Sequence, residues 1–330
     1  VLSPLDRLRH YPRSNALFTT HTAKEPFSDM TPNASPDRLT RFLLEVAGVR
    51  GVHVCLDDTW AQIRSRAEYP ADVAALLGEA VAASALFTGH AKVGGRLSVQ
   101  LRGDGALRTL FAECTGAGTL RAIATLAGDN IPQMHSLSSL GPGALLAITI
   151  ENPGARDQEP SRYQGLVGLD ANTLSEAFEG YFRQSEQLPT RLLLTTSDER
   201  VCGLMLQKLP GDAGDLDGWE RANALFDTLG APELMATPVE TLLHRLFHEE
   251  DVRLLGEKPL RFACSCSRER VSAMLESLGE DEARAAVEDN AGQAEVHCEF
   301  CGETYRYSAT EIAALFVSRP SGWSAPDRLQ

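Results

Sequence analysis

Apolar and polar positions along the chain alternate with two different periods, and the switches between them outline its elements. From Asp37, Leu39, Phe42, Leu43 and Val46 recur at helical spacing, which predicts a short helix capped by Ser35 with Pro36 in its first turn. A strand is expected around 49–56. Over 69–86, Val73, Leu76, Leu77, Ala80, Val81 and Ala85 define a helix, with alanines between them that permit close packing. Residues 96–102 alternate strictly, with Leu97, Val99 and Leu101 on one face and Ser98, Gln100 and Arg102 on the other. The turn signal Gly103-Asp104-Gly105 follows. Further strands are expected at 109–113, 120–127, 145–151, 163–169, 190–196 and 201–209. A helix from a cap at Asn172 to about Ser185 would bury Leu174, Phe178, Tyr181 and Phe182. Short strands in series with grouped helices indicate an α+β fold: a mixed α/β core domain over 36–210 with a largely antiparallel sheet.

The pattern changes after Pro210. Residues 211–260 carry eleven Asp and Glu against four Lys and Arg, half of the formal charge of −14. The same segment keeps helical apolar spacing through Trp219, Ala222, Leu225, Phe226 and Leu229, then Val239, Leu242, Leu243, Leu246 and Phe247. Pro232 and Pro238 divide it into short helices. Such helices are marginal without a surface to pack on, so the segment reads as a helical linker, either ordinary or poised to unfold. Beyond it, a small domain over 261–317 should hold helices at 269–278 and 280–288, a strand at 303–307, and a helix at 310–316 capped by Thr310. Residues 1–35 read as a disordered leader, with 1–29 an upstream extension that plays no part in folding, and 318–330 as a flexible tail.

Composition narrows the chemistry. The acidic balance argues against broad nucleic-acid binding. No stretch is expected to reach the ~20 apolar residues of a membrane span, and no signal-peptide pattern opens the chain. A phosphate-binding Gly-x-x-x-x-Gly-Lys loop and a Gly-x-Ser-x-Gly elbow are both lacking. His244 and His248 lack the intervening Glu of a metalloprotease helix and read as surface residues. Of seven cysteines, Cys55, Cys114 and Cys202 lie far apart in apolar surroundings and read as small buried hydrophobes in a reducing, cytoplasmic setting.

The other four form two tight pairs, Cys264-Ser-Cys266 and Cys298-Glu-Phe-Cys301, separated by thirty-one residues. Two close pairs joined by a moderate loop suit one tetrahedral zinc ion. Gly302 lets the chain turn back so that backbone N–H groups face the second pair. The neighbouring Arg261, Arg268 and Arg270 either offset the negative charge of four thiolates or form a solvated basic patch. His297, beside Cys298, reads as a surface or supporting residue. Three functions fit these residues: a redox-responsive zinc domain, a constitutive zinc module that docks nucleic acid or a ribosome, and a thiol oxidoreductase using Cys298-x-x-Cys301.

The residues also resemble a family, the bacterial redox-regulated heat-shock chaperones of thirty-three kilodaltons. The likeness is carried by Phe262-Ala-Cys-Ser-Cys-Ser-Arg-Glu-Arg270, His297-Cys-Glu-Phe-Cys-Gly302, Arg162-Tyr-Gln-Gly-Leu-Val-Gly-Leu-Asp170, Tyr181-Phe-Arg-Gln-Ser-Glu-Gln-Leu-Pro-Thr-Arg191 and Leu243-His-Arg-Leu-Phe-His-Glu-Glu250, and spans about 37–317. It implies a holdase that needs no ATP and has no enzymatic activity. In the reduced state zinc sits on Cys264, Cys266, Cys298 and Cys301. Oxidation pairs Cys264 with Cys266 and Cys298 with Cys301, expels zinc and unfolds the linker. The protein then dimerises and binds unfolding clients.

Overall fold

A computed structural model describes residues 37–91, 93–128, 136–154, 159–211, 214–288 and 292–317. The leader, its cap at Ser35 and Pro36, and the tail lie outside the described residues. Two compact units divide between Ala263 and Cys264.

The first unit is built on two sheets. One contains β1 (Arg38–Leu44), β2 (Val49–Leu56), β8 (Thr190–Thr196), β9 (Val201–Lys208) and β10 (Val252–Pro259), in the order β10-β1-β2-β9-β8. The other contains β3 (Arg96–Arg102), β4 (Leu107–Thr115), β5 (Thr119–Leu126), β6 (Leu145–Asn152), β7 (Ser161–Val167) and β11 (Arg261–Phe262), in the order β11-β5-β4-β3-β6-β7. Every pairing is antiparallel except β11 with β5. This is the expected α+β architecture with antiparallel sheets.

Helix α1 (Asp58–Arg64) follows β2, and α2 (Ala71–His90) lies between the two sheets. Leu77, Val81 and Leu86 of α2 share one core with Val54, Leu97, Val99 and Met205. Glycines let backbone and helix close up: a Cβ at Gly78 would stand 2.5 Å from Thr196, and one at Gly203 would stand 2.8 Å from Leu86. Helix α2, with most of its length buried, is long and apolar enough to cross a membrane by length and composition, contrary to the expectation that no stretch would be. Here that apolar surface is spent on two sheets. Helix α3 (Leu174–Tyr181) begins in a capping box formed by Thr173 and Glu176, not at Asn172.

Two readings of the chain are corrected at its start. The residues from Asp37 form strand β1 rather than a helix. β1 is paired on both sides and covered on both faces, Leu39 toward α2 and Phe42 and Leu44 away from it, so its apolar positions lose simple alternation. Asp37 itself caps α1 from twenty residues away, accepting from the N–H groups of Asp58 (3.2 Å) and Thr59 (2.6 Å).

The acidic segment forms α4 (Gly218–Phe226), α5 (Ala231–Ala236) and α6 (Val239–Phe247). Their apolar stripe covers the outer face of the five-stranded sheet: Phe226, Leu234, Leu242 and Phe247 pack on Phe42, Leu44, Val49, Leu204 and Leu206. Arg221 gathers Asp215, Asp217 and the buried Glu250. After α6 the chain does not stay helical to residue 260; it enters the sheet as β10 beside β1.

On that covered face, Cys55 and Cys202 are joined by a disulfide across a separation of 147 residues. They are therefore not free buried hydrophobes, because β2 and β9 place them directly opposite one another. Cys114 is free and buried, as expected, and burial pushes its thiol up to about 12.

The second unit holds α7 (Arg268–Leu278), α8 (Glu280–Glu288), the hairpin β12 (Gln293–His297) and β13 (Thr304–Ser308), and α9 (Ala309–Val317). Ser308, bonded reciprocally with Glu311, opens α9 in place of the expected Thr310. Its apolar core consists of Val271, Leu275, Ala283, Val287, Ala294, Tyr307 and Ile312.

Candidate metal and redox centre

Each cysteine pair sits where a local signal holds it. Cys264 and Cys266 lie in extended chain just before α7, which Ser267 caps by accepting from the Arg270 N–H. Cys298 and Cys301 form the turn between β12 and β13. Cys298 N–H donates to Glu303 O at 2.8 Å and Gly302 N–H to Cys298 O at 2.7 Å. Gly302 takes the left-handed φ of 73° that this reversal needs.

These two supports bring the four thiols together. Cys264 Sγ lies 3.5 Å from Cys298 Sγ, and Cys266 Sγ lies 3.3 Å from Cys301 Sγ. All four sulfurs fall within 4.8 Å of one another. A tetrahedron of thiolates about 2.3 Å from a central zinc has edges of roughly 3.8 Å, so the set fits such an ion in donor type, number and spacing. The 3.5 Å and 3.3 Å contacts both run between the two pairs, and the 4.8 Å bound holds within each pair as well.

The sulfurs of the centre do not titrate alike. Burial opposes charge on Cys264, but the Cys266 N–H and the thiols of Cys266, Cys298 and Cys301 donate to it and bring it down to about 7. Burial and the neighbouring sulfurs push Cys301 up, although the Glu303 N–H donates to it; Cys298 is also raised, mainly by burial. The Cys264 thiolate is stabilised while Cys298 and Cys301 hold their protons more tightly, a state a divalent cation would change by displacing protons from sulfur.

One contact was not anticipated from the sequence. Tyr305 Oη donates to Cys266 Sγ at 3.2 Å. Two residues on, Tyr307 Oη donates to Arg268 O at 2.9 Å, so β13 ties the first cysteine pair and α7 to the hairpin. Alternation in Thr304–Ser308 is the only sequence signal that pairs these two tyrosines on one face. The arginines take other partners: Arg268 stacks on Tyr307 and pairs with Glu311, while Arg270 donates to Ser265 O. Arg261 lies on β11 in the first unit. His297 is exposed, bonds Thr304 and stands apart from the sulfurs. Cys298-x-x-Cys301 leads into a strand, not the helix start that a thioredoxin-like motif requires.

Comparison with known proteins places these features in a family. The family model described as "Hsp33 protein" matches residues 37–308. The "33 kDa chaperonin" of Ectopseudomonas mendocina is 42% identical over 293 residues, covering 87% of this chain and 97% of its own. That of Pseudomonas putida strain GB-1 is 44% identical over 286 residues, covering 85% and 94%. The solved 33 kDa chaperonin of Thermotoga maritima superposes with a TM-score of 0.69 at 19% identity, covering 84% of this chain and 97% of that one.

Proposed function

The chain belongs to the Hsp33 family of 33 kDa chaperonins, non-enzymatic chaperones, and from that premise we propose that it is a redox-regulated holdase working without ATP in a reducing cytoplasm. The observation that carries this reading is the convergence of four thiols in a unit whose core, among the described residues, has seven buried apolar side chains and four partly buried ones packed on them. A core that small does not hold a fold alone.

Zinc bound by Cys264, Cys266, Cys298 and Cys301 would supply folding free energy on the order of 10 kcal/mol to the second unit. Peroxide removes two electrons and two protons from each pair, forming Cys264–Cys266 and Cys298–Cys301 disulfides and two waters per peroxide consumed. Sulfurs in disulfides no longer serve as thiolate ligands, and these short loops constrain the chain little. Loss of that unit removes the folded anchor at the end of the chain that runs from α6 through β10 and β11.

Helices α4–α6 are the cover that then leaves. They are short, flanked by acidic turns and broken between α5 and α6 at Thr237-Pro238, and they shield Phe42, Leu44, Leu204 and Leu206. Their release uncovers an apolar sheet face and their own apolar stripes. Both offer surface to unfolding client proteins and to a second copy in an oxidised homodimer, while the acidic residues keep the complex soluble. The test is to treat reduced, zinc-loaded protein with peroxide at elevated temperature and follow zinc release and client aggregation together. Zinc release with suppressed aggregation is expected; zinc release with unchanged aggregation rejects the proposal.

A further inference from the structure

The proposed switch leaves one sulfur pair unused. Cys55 and Cys202 face each other on β2 and β9, the middle strand of the five-stranded sheet and its neighbour, with Cα atoms 4.2 Å apart. Directly opposed antiparallel positions at close spacing bring two sulfurs together without backbone movement. Both lie on the face that α4–α6 cover, Cys202 fully buried among Leu204, Ala222 and Leu242. Cys55 is half-buried and opens onto a cavity of about 190 Å³ beside the Thr237-Pro238 break.

The surroundings differ from those of the four-cysteine centre. Arg200 is committed to Asp57 on both oxygens. His53 Nε2 stands 3.7 Å from Cys55 Sγ, but burial, followed by the nearby Arg38, holds this imidazole down to about 3 and therefore neutral. Arg38, which lines the same cavity, pairs with Glu240 and Glu257, so both arginines beside Cys55 have carboxylate partners. The cysteine pair is built to be reached from one side, through Cys55.

We propose that Cys55 and Cys202 form a second redox site, a cross-strand disulfide that small thiols reduce through Cys55 and peroxide restores. In reduction, a thiolate attacks Cys55 Sγ and forms a mixed disulfide, the S–S bond breaks, and Cys202 leaves as a thiolate and takes a proton. A second thiol then attacks the mixed disulfide, freeing Cys55 and leaving the small molecule oxidised. In oxidation, the two thiols lose two electrons and two protons, and one peroxide becomes two waters. The bridge keeps β2 joined to β9 when the covering helices lift, a consequence that rests on the helix release proposed above.

The full chain tests this directly. Peroxide-treated protein is alkylated under denaturing conditions, digested without reductant and mapped by mass spectrometry. A peptide linking Cys55 to Cys202 is expected, lost on reduction with dithiothreitol; limited treatment with glutathione should place the mixed disulfide on Cys55 and not Cys202. The oxidised wild type should melt about 5–10 °C above an oxidised Cys55→Ser/Cys202→Ser variant. Absence of the linked peptide, or adducts on Cys202 first, overturns the proposal without need of any variant. Zinc release without the link leaves the four-cysteine switch standing and removes this site; the link without zinc release does the reverse.

Discussion

The five-stranded sheet is covered by helix on both faces, and the two covers are made differently. On one face α2 is a single twenty-residue helix packed against both sheets, with Gly78 and Gly203 admitting the side chains of Thr196 and Leu86 against the backbone. On the other, α4, α5 and α6 are helices of nine, six and nine residues, each with one apolar stripe, and the segment's acidic residues lie mostly in the turns that flank them. Removing α2 would dismantle the core shared by both sheets. Removing α4–α6 would uncover one face and leave the sheets paired. Under the proposed function, the first is a structural cover and the second a releasable one.

The largest test of that distinction acts from a distance. Cys298→Ser removes one thiol of the four-cysteine centre and should cost most of a metal contribution on the order of 10 kcal/mol. Zinc content should fall from about one per chain toward zero, and circular dichroism should show lost helix while the sheets persist. Next comes a matched pair of truncations. Phe247→Ala and Leu77→Ala should each cost about 3–5 kcal/mol. Phe247→Ala, under α6, should suppress client aggregation without oxidant; Leu77→Ala, in α2, should only lower the melting temperature. Equal chaperone activity in the two would erase the comparison.

Glu79 gives a pH test confined to the permanent cover. Burial raises its carboxyl to about 7, above the ordinary 4.5. The folded state binds the proton more tightly than the unfolded chain, so the stability gained from protonation is complete below 4.5 and lost as pH rises to 7. Glu79→Gln should therefore stabilise by up to about 3 kcal/mol at pH 8 and flatten the decline between pH 5 and 8 in thermal melts. The smallest effect is expected at Tyr305→Phe, which removes the hydroxyl from Cys266 and should weaken zinc affinity about tenfold in competition with a chelator.

What could be read from the chain followed the range over which each signal acts. The Cys264–Cys266 and Cys298–Cys301 spacings are local, and their supports, Ser267 and Gly302, are adjacent, so the centre could be anticipated. β3 alternates cleanly because one of its faces is partly exposed. β1 did not, since both its faces are covered and both its edges paired. α1 has its cap at Asp37, twenty residues upstream, where no window of sequence connects them. β10 carries Leu254 and Leu255 together beside a register shift opposite Arg41 and Phe42, which breaks the two-residue period. Cys55 and Cys202 carry no sign of each other; only the register of β2 on β9 brings them together.

Hydrogen exchange, resolved by segment before and after peroxide at elevated temperature, tests the releasable cover most directly. Protection should be lost across 264–317 and 218–247 as chaperone activity rises, while α2, β2 and β9 stay protected. Activation with α4–α6 still protected would contradict the account.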